Sequence, residues 1–202
     1  MKWGLAAVAL LYICAPRAAA AEWQLKPFIA GTHGGTTSFA FVRQAPPPVG
    51  NYGHVAFGAT GLFLGEIFGV EADFGHTPHF FEGIEAPLIT DSGVTTLTGN
   101  VVVAMPRRLT QYTLRPYLVG GAGLMHSRID TGPGLQTPLQ TISNFKAMDI
   151  GAGVTGFLSK HVGVSWDVRY FRSIDRTIEQ GSSFTSEHLS FWRVNMALAI
   201  RL

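Results

Sequence analysis

Three groups of residues in this chain of 202 have types and spacing that could do chemistry. His76 and His79 stand three apart, with Glu82 and Glu85 following, and two imidazoles with two carboxylates can ligate a divalent cation. Such histidines on a polar loop are far more often simply solvated, so neither a metal nor any other cofactor is expected. The second group is His188-x-Ser190. A nucleophilic serine needs a base within hydrogen-bond reach and an acid that orients the base. Glu187 is adjacent in sequence, but on a strand its side chain faces the other way, so the pair reads as two ordinary interfacial residues and the chain as non-enzymatic. The third group is Glu71, Asp73, Asp149, Asp167, Arg169 and Arg193, acids and arginines set inside otherwise apolar stretches. Arg115 is a less secure addition, because the glycines at 120, 121 and 123 blur the alternation of its segment.

The elements that carry this third group are strands. The last stretch is the clearest. Trp192, Val194, Met196, Leu198, Ile200 and Leu202 occupy every second position, and Arg193, Asn195, Ala197, Ala199 and Arg201 fill the gaps. A strand turns alternate side chains to opposite faces. An alternation of about eleven residues matches a tilted strand that crosses a bilayer, with the apolar face to lipid and the polar face to a lumen. Seven earlier segments read the same way: Glu22 to Thr32, His54 to Leu64, Ile67 to Gly75, Gly93 to Met105, Tyr112 to His126, Phe145 to Leu158 and Val162 to Phe171. In the third, Phe68, Val70, Ala72 and Phe74 oppose Glu71 and Asp73. In the seventh, Val164, Trp166, Val168 and Tyr170 oppose Ser165, Asp167 and Arg169.

Composition narrows the class. Lys2, the apolar run from Leu5 to Cys14 and the alanines at 18–21 form a secretory leader, with cleavage expected before Glu22. Residues 1–21 are therefore assigned as signal peptide and 22–202 as one barrel domain. Cys14, the only cysteine, falls in the leader, so a disulfide or a zinc-thiolate site is not expected in the mature chain. Losing Lys2 and Arg17 with the leader brings the basic count from 15 to 13, equal to the acids, which removes any nucleic-acid footprint. After the leader, no apolar run is long enough for a transmembrane helix. A membrane protein of this composition must then be a closed barrel, because lipid offers no partner to open strand edges.

The connections between the eight segments alternate: long, short, long, short, long, short, long. Outer-membrane barrels have short periplasmic turns and long external loops, whereas a soluble sandwich has no reason for such a pattern. The expected fold is an all-β, eight-stranded antiparallel up-and-down transmembrane barrel. Its lumen is just wide enough for side chains to fill. Burying an unpaired charge costs several kcal/mol, so the acids and arginines should pair, Arg169 with Glu71 above all, and plug the lumen. A polar path for a small solute is the alternative.

Phe68-Gly69-Val70-Glu71-Ala72-Asp73-Phe74, Arg115-Pro116-Tyr117 followed by the glycine-rich Gly120–Gly123, and Val162 to Arg172 resemble the small outer-membrane β-barrel proteins. These are the porin-family group of OmpA membrane domains, OmpW-type and opacity-type proteins. The resemblance implies an eight-stranded barrel in the outer membrane of a Gram-negative cell. Its implied partners are outer-membrane lipids, the assembly machinery that reads the last strand, and an extracellular ligand at the long loops. The family usually ends on an aromatic residue, where this chain has Leu202. A structural or surface-interaction role is implied first, and a narrow OmpW-like channel for small apolar solutes second. A lipid-modifying enzyme is a distant third: lipid A deacylases share the His-x-Ser pair, but their supporting asparagine and downstream acid are not evident here.

Overall fold

A computed structural model describes residues 21–37, 53–80, 89–110, 114–131, 140–174 and 189–202. They form eight strands: β1 (Glu22–Thr37), β2 (His54–Leu64), β3 (Phe68–Pro78), β4 (Ile89–Ala104), β5 (Leu114–Thr131), β6 (Gln140–Phe157), β7 (Val162–Ser173) and β8 (Leu189–Arg201). Each pairs antiparallel with its neighbour in sequence, and β1 pairs with β8 to close the barrel. Closure satisfies every strand edge internally, which is the condition for β-structure in lipid. The closing seam has one register shift between His33 and Thr36. Gly34 lies inside it with a φ of 63°, a left-handed conformation that glycine adopts without strain.

The alternation in sequence becomes inside and outside. On β8, Phe191, Arg193, Asn195, Ala197 and Ala199 are buried, while Trp192, Val194, Met196 and Leu198 are exposed. The other strands repeat the pattern, so the molecule turns a belt of large apolar side chains outward. Such a belt would be intolerable in water over this extent and is what a lipid-facing wall requires. Aromatic pairs edge the belt. Trp23 and Phe63 stand 4.9 Å apart near the rim that carries both termini of the barrel, and Tyr170 and Trp192 stand 5.0 Å apart toward the opposite rim.

Several strands run further than alternation alone suggests. β4, β5 and β6 span 16, 18 and 18 residues, and β1 continues to Thr37. All these extensions lie toward the rim of the long connections. There the flanking residues are polar, so the hydropathy pattern fades while hydrogen-bonded pairing continues.

Candidate functional site

Strand parity delivers the charged residues to the lumen. Odd positions face inward on β3, β5, β6, β7 and β8, and even positions on β1, β2 and β4. Glu71, Asp73, Asp149, Asp167, Arg169 and Arg193 are all buried. Register then sets a problem: Arg169 and Arg193 are direct cross-strand partners on β7 and β8. Like charges opposite one another on one face repel, and the surrounding carboxylates answer that repulsion.

Arg169 sits at the centre. Its Nη1 is 2.6 Å from Glu71 Oε1, its Nη2 is 3.2 Å from Glu71 Oε2, and its Nε donates to Asp167 Oδ1 at 2.8 Å. Asp73 and Asp149 stand further off, at 3.6 and 3.8 Å from Nη1. Arg193 donates from Nη2 to Asp73 Oδ1 at 2.6 Å. Its guanidinium carbon lies 4.7 Å from the Phe28 ring centre and 4.6 Å from that of Phe171, a cation between two aromatic faces. Neutral side chains complete the lattice. Asn100 Nδ2 donates to Glu71 at 2.9 Å, Asn195 Nδ2 to Asp167 at 2.6 Å and the Thr60 hydroxyl to Asp73 at 3.0 Å.

Lys26, Tyr117, Thr155 and Ser165 extend the polar layer toward the terminal rim. The Tyr117 hydroxyl donates to Asp167 Oδ2 at 3.0 Å, and Lys26 Nζ donates to the Thr155 hydroxyl at 3.1 Å. Lys26 is absent from the charged set read from sequence, although its parity with Glu22 and Gln24 marks it as an inward residue of the first strand. Gly75 and Gly151 were not legible as part of the site. Both face the lumen beside an arginine, and a Cβ on Gly75 would overlap Arg193 Nη1 while one on Gly151 would fall 2.9 Å from Arg169 Cγ. Gly75 leaves room for the guanidinium of Arg193, while Gly151 lets its strand approach the Val168 carbonyl, 2.5 Å from where a Cβ would stand, and the stem of Arg169.

An apolar layer lies on the other side of the charges. Phe80, Val94, Met125, Phe145, Phe171, Leu189 and Phe191 form one buried cluster toward the rim of the long connections. Phe171 and Phe191 stack at 5.2 Å, and Phe80 meets Phe191 edge-on at 5.1 Å.

The remaining sequence candidates sit elsewhere. Arg115 faces inward at the terminal rim, where its side chain meets backbone carbonyls of the turns and Glu22. His76 is on the outer side of β3, its Nδ1 2.8 Å from the Thr95 hydroxyl, and His79 follows the strand with a φ of 57°. Glu82 and Glu85 lie outside the described residues. So do Glu187 and His188, while Ser190 is on the outward parity of β8. Trp192, Val194, Met196, Leu198 and Leu202 are exposed on the outer face, and Ile200 shares their parity with partial cover.

A closed eight-stranded barrel with an apolar outer belt and ion pairs inside defines a small transmembrane β-barrel of the outer membrane. Residues 5–191 match the family model described as the outer membrane protein beta-barrel domain, and the chain belongs to that family. It resides in the outer membrane of a Gram-negative cell, with its belt in contact with lipid. Among solved structures it is similar to Neisserial surface protein A, at 12% identity, with a TM-score of 0.61 and coverage of 89% of this chain and 97% of that one. The outer membrane protein OprG from Pseudomonas aeruginosa has the same identity and TM-score, with 92% and 97% covered. Ail, the attachment invasion locus protein of Yersinia pestis, is 13% identical with a TM-score of 0.50, over 89% and 99% of the two chains. Among curated proteins none matches this sequence.

Proposed function

We propose that the chain is a non-enzymatic outer-membrane scaffold, closed to solute flow, that presents its long connections at the cell surface. One observation carries the reading: the bidentate contact between Arg169 and Glu71 joins β7 to β3, on opposite walls of the barrel. A water-filled path would leave these groups to solvent. Instead Arg169 and Arg193 are each 1% exposed, and the stacked phenylalanines cover the charged layer on the side of the long connections. The surface role follows from those connections, since such scaffolds carry recognition on their loops. It is also consistent with two similar folds whose names denote a surface protein and a protein of an attachment invasion locus.

β8 is the element for the outer-membrane assembly machinery to read, because it carries the outward row from Trp192 to Ile200. Met196→Glu, which breaks that row with a charge, should slow assembly into vesicles that hold that machinery. An unchanged rate would oppose the assignment.

Planar-bilayer recording of the refolded barrel tests closure. The expected trace shows no single-channel steps, and liposomes carrying the protein retain small polar solutes. Steady conductance, or saturable binding of a small apolar solute inside the wild-type barrel, would replace the closed reading with the narrow conduit.

A further inference from the structure

The terminal rim holds a second charged cluster that the interior lattice does not use. A cavity of about 460 Å³ opens there, lined in part by Glu22, Arg107, Arg115, Phe157, Lys160 and Arg201. Four cations thus face one carboxylate. Glu22 Oε2 stands 2.5 Å from both Arg107 Nη2 and Arg201 Nε in ion pairs, and its Oε1 accepts a hydrogen bond from the Gln24 amide at 2.7 Å. Glu66, at the same rim, is engaged by Arg108 at 3.1 Å.

Arg115 is the informative member. Its Nε donates to the Met105 carbonyl at 3.0 Å, and its Nη2 donates to the carbonyls of Gly65 and Glu66 at 3.0 and 2.5 Å. Three bonds to two different turns leave the fork no freedom. Its Nη1 is buried without a hydrogen-bond partner, 3.6 Å from Glu22 Oε1 and too far to donate to it. Buried donors are almost always satisfied. Arg201 is fixed as well, by the Lys160 carbonyl at 3.1 Å and by the Phe157 ring, 3.8 Å from its guanidinium carbon. A cluster built only to hold Glu22 needs one or two cations, and this one keeps two more beside an open cavity.

We propose that this rim is a binding site for a phosphate group, held by Arg115 Nη1 with Arg107, Lys160 and Arg201. Guanidinium forks match phosphate oxygens in geometry, and charge-assisted bonds of this kind are the strong ones. Short turns face the periplasm in barrels of this class, so the rim adjoins the headgroup layer of the inner leaflet. The phosphate therefore belongs either to an anionic lipid headgroup or to free phosphate, and both present the same oxygens to the site.

The test is calorimetric titration of the full refolded barrel in an alkyl maltoside, which carries no phosphate, at low salt. The probes are inorganic phosphate and a short-chain phosphatidylglycerol. Arg107 and Lys160 are solvent-facing, so the double variant Arg107→Gln/Lys160→Gln should fold, which its heat-modifiable migration checks. Lys146→Gln, on the outer face of β6, is the control. Saturable binding is expected in the wild type and the control, weakened about tenfold or more in the double variant, the scale of a lost charge-assisted bond. Variant-sensitive binding of both probes shows that free phosphate suffices. Sensitive binding of the lipid alone assigns the site to a headgroup. Saturable binding of neither probe, or binding that the folded double variant leaves unchanged, overturns the proposal.

Discussion

Arg169 on β7 grips Glu71 on β3 with both ends of its fork, at 2.6 and 3.2 Å, and the two residues are 98 positions apart in sequence. The contact spans the lumen, so it fixes the relative position of walls that are not paired as strands. Its energetics are asymmetric. Glu71→Gln leaves Arg169 with Asp167 at 2.8 Å and Asp73 at 3.6 Å, whereas Arg169→Met leaves Glu71, Asp149 and Asp167 without their guanidinium, and only Asp73 keeps an arginine, Arg193. Stranding buried charge costs about 3–5 kcal/mol. Arg169→Met should reach that range and Glu71→Gln should fall well short of it. Urea unfolding in liposomes, followed by tryptophan fluorescence, measures both, and equal costs would refute the central place given to Arg169.

Asp149 makes the loosest pair of the set, 3.8 Å from Arg169 Nη1, beyond hydrogen-bond distance. At that separation its attraction to Arg169 returns less than the tighter pairs do, while its desolvation remains. Asp149→Asn keeps the shape and removes the charge. It should cost far less than Arg169→Met, and it stabilises the barrel where the desolvation exceeds the attraction of the pair. A loss as large as that of Arg169→Met would show that Asp149 holds the arginine in place.

The fold was legible because alternation is a property of sequence. Glu71 and Asp73 on β3, and Asp167 and Arg169 on β7, follow from parity alone. So does the side of each belt residue from Trp192 to Leu198. Register is not visible to that logic, since the opposition of Arg169 to Arg193 depends on which residues pair across β7 and β8. The aromatic layer also escaped it, because Phe145, Phe171 and Phe191 look like belt residues until their parity is tied to their neighbours. Glu22 and Arg201 stand 179 positions apart and meet only when the barrel closes, so the rim cluster has no local signature. Arg115 was ambiguous because Gly120, Gly121 and Gly123 carry no side chain to mark a face.

Gly75 tests whether Arg193 needs its clearance. Its missing Cβ is the space that Arg193 Nη1 occupies, and Arg193 is held there by Asp73 and two phenylalanine rings. Gly75→Ala should push the guanidinium off Asp73 and cost about 1–3 kcal/mol, as overpacking usually does. The same substitution at Gly61, whose added methyl would meet nothing within 4 Å, should cost far less. Similar unfolding midpoints for the two variants would mean that Arg193 has room to move.

The outer belt sets its own limit on β7. Val164, Trp166, Val168 and Tyr170 share the lipid-facing parity, and Arg172 continues it one step beyond the Tyr170–Trp192 pair. An arginine is therefore tolerated just past the aromatic edge, where its head reaches the interface. Val168 lies inside that edge, cross-strand from Val194 on β8 and Ala152 on β6. Val168→Arg should cost up to about 2–4 kcal/mol, the midplane value for a basic side chain on the lipid face. Arg172→Ala should be nearly silent. Unfolding titrations in liposomes separate the two, and in maltoside micelles, which deform around a charge more readily, the penalty at position 168 should shrink. If Val168→Arg proved neutral in the bilayer, β7 would lie outside the hydrocarbon at that depth, and the belt would have to be shifted toward the terminal rim.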